Sequence, residues 1–312
     1  MAPAVVAIFG PTAVGKTGVA IELAEILRRR GEDPVAVNSD SIQVYRGLET
    51  LSGAATAEEG ARLEHRLLSF LDPGEEFSAG RYAERAHAEI DSLLAEGRRP
   101  LVVGGTGLYL RAALAELDLR PPVAAVIREE VERELERRGP EPMHAELESS
   151  AAAAVAPTDR KRVARLTELS RAGIRPHEDA EEMWTAKLRH PTALIGLTMD
   201  RAELAGRIDA RVDAMVAGGA VEEARAADEA GASRTARAAL GFAQLLEAHD
   251  AAPPAEAVES MKAAHRRYAR RQLTWMRRME GVQQVDRTGM DDVETADRIE
   301  ALVAADEAAG RQ

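Results

Sequence analysis

Val5-Val6-Ala7-Ile8-Phe9 runs directly into Gly10-Pro11-Thr12-Ala13-Val14-Gly15-Lys16-Thr17. The first five residues are an unbroken apolar run of strand length, which predicts a strand buried on both faces. The next eight fit G-x-x-x-x-G-K-[ST]. Gly18 to Arg30 then reads as an amphipathic helix closing on Gly31 at a C′ position. Strand, motif and helix in this order give the motif a mechanism. Its glycines let backbone N–H groups converge on an oxyanion, the helix N-terminus adds partial positive charge, and Lys16 adds a full one. Gly10, Pro11, Thr12, Ala13, Val14, Gly15, Lys16 and Thr17 are the candidate phosphate-binding residues, and the Thr17 hydroxyl is the candidate Mg²⁺ ligand. The motif alone leaves open whether the phosphate is ATP, GTP or another diphosphate ester.

Further along, Val35-Ala36-Val37, Leu101-Val102-Val103 and Ala193-Leu194-Ile195-Gly196-Leu197 read as strands, and Tyr82 to Glu96 as a helix. Strands alternating with helices, with Gly-rich turns at strand ends, predict an α/β fold. Its core is a P-loop three-layer sandwich around a parallel sheet. Between about Pro121 and His190 strand candidates vanish and helical, charged sequence takes over, broken by Gly139-Pro140 and Pro157. The expected organisation is a first core part over 1–120, a helical insertion over 121–190, a second core part over 191–286, and a C-terminal helix or tail over 287–312.

The chain has 312 residues, 30% of them charged and 45% apolar, so it has the material for a sizeable core. Only 2 Trp, 4 Tyr and 4 Phe are present, which favours Ala- and Leu-built helices over an aromatic-rich β-sandwich. No apolar run approaches a membrane span, and Ala4 to Phe9 is too short for a signal peptide, so no membrane association is expected. The absence of Cys excludes disulfides, thiolate metal sites and Cys nucleophiles, and suits a reducing, cytoplasmic setting. No apolar heptad seam is visible, and a monomer is expected.

The net charge of −12 hides a local pattern. Four of the 41 basic residues are Lys and the rest are Arg, six of them between Arg266 and Arg278. On a helix Arg267, Arg271, Thr274 and Arg278 form one track, with Arg266, Arg270 and Arg277 alongside and no Asp or Glu in the run. That pattern predicts contact with a nucleic-acid phosphate backbone. Lys161, Arg162 and Arg165 share a second helical face, where pairing to Asp159 and Glu168 is the competing reading. Asp40, after the second strand, points into the ligand crevice as a general base, as an acidic residue holding water on Mg²⁺, or simply as a turn cap. Gly104-Gly105-Thr106-Gly107 offers a flexible turn for close ligand approach and a hydroxyl at Thr106. Arg207 and Arg211 either reach a phosphate leaving group or pair with Asp209 and Asp213.

Taken together, these pieces resemble the tRNA dimethylallyltransferases (isopentenyl-tRNA transferases) from Val5 to about Asp286. The resemblance rests on Gly10–Thr17, Asp40-Ser41-x-Gln43-Val44-Tyr45-Arg46-Gly47, Phe77-Ser78, and Val103-Gly104-Gly105-Thr106-Gly107-Leu108-Tyr109. Asp159-x-x-Arg162-x-x-Arg165, Arg207-Ile208-Asp209-x-Arg211-Val212-Asp213-x-Met215, Gly241-Phe242 and Tyr268-Ala269-x-Arg271-Gln272-Leu273-Thr274-Trp275 continue it. It implies transfer of a dimethylallyl group from dimethylallyl diphosphate, held with Mg²⁺, to N6 of adenosine 37 in tRNAs reading UNN codons. It also implies that Lys16 and Arg211 stabilise departing pyrophosphate, that Asp40 takes the N6 proton, and that Thr106 positions the amine. The tRNA contacts it implies are Asp40, Ser41, Ile42, Gln43, Thr106, Arg128, Lys161, Arg162, Val163, Ala164 and Arg165. Arg270, Arg271, Gln272, Leu273, Thr274, Trp275, Met276 and Arg277 complete that set. The chain departs from the family pattern at Leu51-Ser52-Gly53-Ala54-Ala55, at Arg66, and at Ala243-Gln244. Competing readings are an adenylate isopentenyltransferase, a small-molecule P-loop kinase and a non-catalytic RNA-binding module.

Overall fold

The computed structural model describes residues 4–117, 119–153, 155–175, 187–247 and 253–310. Six parallel strands form its sheet: β1 (Val5–Phe9), β2 (Pro34–Asn38), β3 (His65–Arg66), β4 (Arg99–Gly104), β5 (Thr192–Thr198) and β6 (Gln283–Asp286), in the order β3-β2-β4-β1-β5-β6. Every residue of β1 is buried, and Ile8 sits beside Val103 of β4 and Ile195 of β5. That is why the central strands are legible as apolar runs. The two edge strands are not. His65-Arg66 and Gln283-Gln284-Val285-Asp286 each have one flank without a neighbour, so polar side chains are tolerated there and no apolar run marks them.

The longer helices are α1 (Lys16–Arg29), α2 (Ala79–Ala95), α3 (Gly107–Leu114), α4 (Ala125–Arg138), α5 (Arg160–Arg171), α6 (Arg201–Ala217), α7 (Ala220–Glu229), α8 (Ala255–Arg278) and α9 (Asp292–Gly310). α1 ends as its sequence predicts, with Gly31 at φ 86° and its N–H bonded to the Arg28 carbonyl. Tyr82, Ala86, Ile90 and Leu93 form the buried stripe of α2 at helical spacing.

The chain divides into two compact units, one of Met1–Glu116 with Ala186–Gln312 and one of Leu117–Thr185. The second is helical, with Val131 and Leu135 of α4, Met143, and Val163 of α5 as its core. The segment after residue 286, expected as a C-terminal helix or tail, holds helix α9. Helix α9 belongs to the first unit, where Ala296, Ile299 and Val303 are fully buried in the same core as Ile21 and Leu23 of α1. Ion pairs from Arg30 to Glu300 (2.7 Å) and from Arg99 to Glu307 (2.7 Å) fasten its outer side. The acidic, Ala-rich composition of the segment obscured an apolar stripe of only a few residues.

Packing of this kind makes α9 structural. Ile299→Ala should lower unfolding stability by about 2–5 kcal/mol in urea denaturation, since it leaves a cavity in a close-packed core. An unchanged midpoint would contradict the packing.

Candidate active site

Four adjacent strands deliver the site. At their carboxyl ends, β2 leads to Asp40, β4 to Thr106, β1 to the phosphate turn, and β5 to α6, which carries Arg211. This edge of a parallel sheet is where ligands bind in open α/β folds, because the turns there present helix N-termini and side chains to one crevice. The side chains expected to do chemistry converge on it.

The phosphate turn adopts two left-handed residues, Ala13 (φ 64°) and Gly15 (φ 93°). Glycine takes that conformation freely, whereas at Ala13 it is uncommon and must be held by surroundings. Gly15, Lys16 and Thr17 open α1, and their N–H groups have no protein acceptor among the described residues. Lys16 turns back over the turn and its Nζ donates to the carbonyls of Pro11 (2.9 Å) and Gly10 (3.2 Å). Burial, then the positive charge of Arg211, pulls its pKa down to about 8 against an opposing pull from Asp40. Lys16, Arg211 and Asp40 therefore lie within one another's electrostatic reach.

Asp40 both caps its turn and faces the neighbouring strand end. Its Oδ1 accepts the Ile42 N–H (3.0 Å), and its Oδ2 accepts the Thr106 hydroxyl at the long distance of 3.5 Å. Asn38 fixes the corner below, accepting the Asp40 N–H and donating to the Leu67 carbonyl. Thr106 is the N-cap residue of α3, yet its hydroxyl makes no capping bond there. It accepts instead from the Ser41 N–H (3.3 Å) and lies 3.2 Å from the Tyr268 hydroxyl. Burial raises the Tyr268 phenol above its usual pKa and the charge of Asp40 adds to the shift, so the phenol is neutral and able to donate. Tyr268 stands next to the Arg-rich run without having been assigned a place at the site.

Arg211 is the inward member of the Arg207/Arg211 pair. Its Nη2 donates to the carbonyls of Ser52 (3.1 Å) and Gly53 (3.3 Å), which also accept from the Gln43 amide. A Cβ at position 53 would overlap the Arg211 guanidinium. Neither Asp209 nor Asp213 pairs with Arg207 or Arg211. Arg266 of α8 takes Asp209, and Lys262 takes Asp213 at 2.8 Å. Arg266 is thus neutralised from another helix, which a scan along its own run could not reveal.

Three expectations change. The glycines at and beyond the end of β4, expected to allow close approach of a ligand, make room for protein: a Cβ at Gly104 would overlap Ser39, at Gly105 the Gln272 amide, and at Gly107 the Trp275 ring. Gln272, expected at the RNA surface, is buried, accepts the Thr12 N–H (2.8 Å) and donates to the Gly105 carbonyl (2.8 Å), tying the phosphate turn to the β4 turn. Met276 and Val163, also expected at that surface, are buried in the cores of their units, on the inner faces of α8 and α5. The outer face of α8 presents Arg267, Arg270 and Arg277, exposed and without an acidic partner among the described residues, along with exposed Thr274 and half-buried Leu273 and Trp275. Arg271 stacks on Tyr268 at 5.4 Å. In the helical unit Lys161 is exposed, Arg162 approaches Asp159 (3.7 Å), and Arg165 pairs with Glu168 (3.2 Å) while donating to the Pro121 carbonyl (2.8 Å). Ala164 is half-buried beside them, and Arg128 donates to the Val123 carbonyl.

Thr17 lines a small cavity with Asn38, Gln43 and Val103, and its side chain carries a hydroxyl. It is the donor the turn offers a cation. Mg²⁺ commonly keeps waters and binds phosphate oxygens with few protein ligands, and one hydroxyl fits that habit.

Fold and site define the class as an α/β protein with a P-loop turn set beside a carboxylate, Asp40, and two cations, Lys16 and Arg211. The profile of the IPP transferase family matches residues 43–279. The tRNA dimethylallyltransferase of Anaeromyxobacter dehalogenans is 44% identical over 283 residues, covering 89% of this chain and 93% of that one. That of Thermobifida fusca is 40% identical over 285 residues, covering 88% and 87%. Among solved structures, the tRNA isopentenylpyrophosphate transferase of Bacillus halodurans is similar with a TM-score of 0.69 and 32% identity over 99% of both chains. The chain belongs to the IPP transferase family and is a prenyl-transferring enzyme.

Since the Lys16 pKa lies near 8, its ammonium is charged below that pH and lost above it in the unliganded protein. Pyrophosphate affinity measured by calorimetry should therefore fall as pH rises through about 8, beyond any change in pyrophosphate itself. Lys16→Arg should flatten that fall, because guanidinium stays charged. Identical profiles for the two proteins would contradict the assignment.

Proposed function

We propose that this chain transfers the dimethylallyl group of dimethylallyl diphosphate to N6 of adenosine 37, next to the anticodon, in tRNAs reading UNN codons. The observation that carries the reading is the convergence of Lys16, Asp40 and Thr106 beyond the ends of adjacent strands with Arg211 of α6, within a chain of this family.

The chemistry follows from charge. As the allylic C1–O bond breaks, its electron pair leaves with pyrophosphate, and the N6 lone pair forms the new C1–N bond. Negative charge grows on the departing group, where Lys16, Arg211 and the free N–H groups of the turn supply positive potential. The N6 nitrogen becomes cationic and gives its proton to Asp40, while Thr106, held by Ser41 and Tyr268, orients the amine. Thr17 would hold Mg²⁺, whose chemistry when bound would be Lewis-acid stabilisation of the same leaving group. The adenosine must leave its stack to reach Asp40, which costs least in a loop. Exposed Arg267, Arg270 and Arg277 of α8, and Lys161 and Arg162 of α5, are suited to the phosphate backbone of the tRNA. A monomer in the cytoplasm suits this role. A kinase reading would need ATP, and nothing at the site favours it over an allylic diphosphate.

Labelled dimethylallyl diphosphate, Mg²⁺ and unmodified tRNA should give labelled tRNA without ATP. Asp40→Asn should cut the rate about 10²–10⁴-fold, the usual range for losing a general base. Transfer to AMP in preference to tRNA, or a dependence on ATP, would overturn the proposal.

A further inference from the structure

Arg287 lies in the segment between β6 and α9, far in sequence from the phosphate turn, and it is only 1% exposed. Its Nη1 donates to the carbonyls of Val14 (2.9 Å) and Gly15 (3.4 Å), and its Nη2 to the Asp292 carboxylate (2.8 Å) and the Met290 carbonyl (3.2 Å). A buried guanidinium placed on two carbonyls of a phosphate turn has a geometric consequence. In a trans peptide the C=O and the following N–H point in opposite directions. Holding the Val14 and Gly15 carbonyls outward turns the N–H groups of Gly15 and Lys16 the other way, and these are the donors with no protein acceptor among the described residues. Polarisation adds to this, since a cation on a carbonyl strengthens the N–H of the same peptide as a donor.

The glycines of the region fit the same arrangement. Gly15 needs its left-handed backbone, but a Cβ there would also overlap the Arg287 guanidinium. Gly18 lies inside α1 with no positive φ, where glycine is unfavourable, and a Cβ there would overlap the Asp292 carboxylate. The space over the first turn of α1 is filled by the Arg287–Asp292 pair.

We propose that Arg287, oriented by Asp292, is a positioning residue for the allylic diphosphate, setting the direction and strength of the Gly15 and Lys16 N–H donors without touching the ligand. The inference rests on the phosphate turn being the diphosphate site. Arg287→Met, Arg287→Lys, Asp292→Asn and Lys16→Ala would be compared by KM for dimethylallyl diphosphate, KM for tRNA, inhibition by pyrophosphate, and melting temperature. Arg287→Met should raise the donor KM and weaken pyrophosphate inhibition about tenfold, the effect of losing a charge-assisted hydrogen bond, with the tRNA KM unchanged. Arg287→Lys should recover part of the loss. Asp292→Asn should move the same two constants in the same direction by less, and it decides the matter if Arg287→Met does not fold. A lower melting temperature with an unchanged donor KM would overturn the inference. If Lys16→Ala raises the donor KM and the Arg287 and Asp292 variants do not, the inference falls and the diphosphate reading stands. If none of them does, both fall.

Discussion

A phosphate-binding turn must keep several N–H groups pointed at empty space when no ligand is bound, and its backbone does not do so unaided. Ala13 and Gly15 are left-handed, and the donors that open α1 are unpaired among the described residues. Besides Lys16 itself, side chains from distant elements hold the turn. Gln272 of α8 takes the Thr12 N–H and reaches the Gly105 carbonyl, and Arg287 takes the Val14 and Gly15 carbonyls from the opposite end of the sheet's last connection. Buried groups of this kind cost little when every partner is present and a great deal when one is missing. The site's geometry thus depends on elements near the C-terminus.

Electrostatics places the chemistry. Burial, and then Arg211, weakens the hold of Lys16 on its proton, while Asp40 strengthens it. On the proposed reading, a bound diphosphate would place its negative charge beside this pair of cations. Asp40 meanwhile sits across from Thr106 at the end of the neighbouring strand, so the carboxylate is separate from the two cations but within their electrostatic reach.

Local signals carried most of what the sequence revealed. β1, the phosphate turn and α1 are contiguous, and the central strands announce themselves because both faces are buried. Asp40 and Thr106 follow apolar strands directly. What escaped reading depends on long-range partners. Gln272 and Arg287 meet the turn from positions 260 and 273 residues away, and nothing in their own neighbourhoods points to it. The same limit explains the glycines after β4, whose neighbours Ser39, Gln272 and Trp275 come from other elements, and Arg266, neutralised by Asp209 of α6. Along a single helix, the buried and exposed residues of α8 could not be sorted without knowing which face the sheet takes.

The central claim is that the turn holds an allylic diphosphate rather than a nucleotide. Calorimetric titration of the intact protein with dimethylallyl diphosphate and, separately, with ATP, each with Mg²⁺, tests it most directly. The account predicts saturable binding of dimethylallyl diphosphate, competed by pyrophosphate and lost in Lys16→Ala, with ATP much weaker. Tight ATP binding that dimethylallyl diphosphate cannot displace would contradict it.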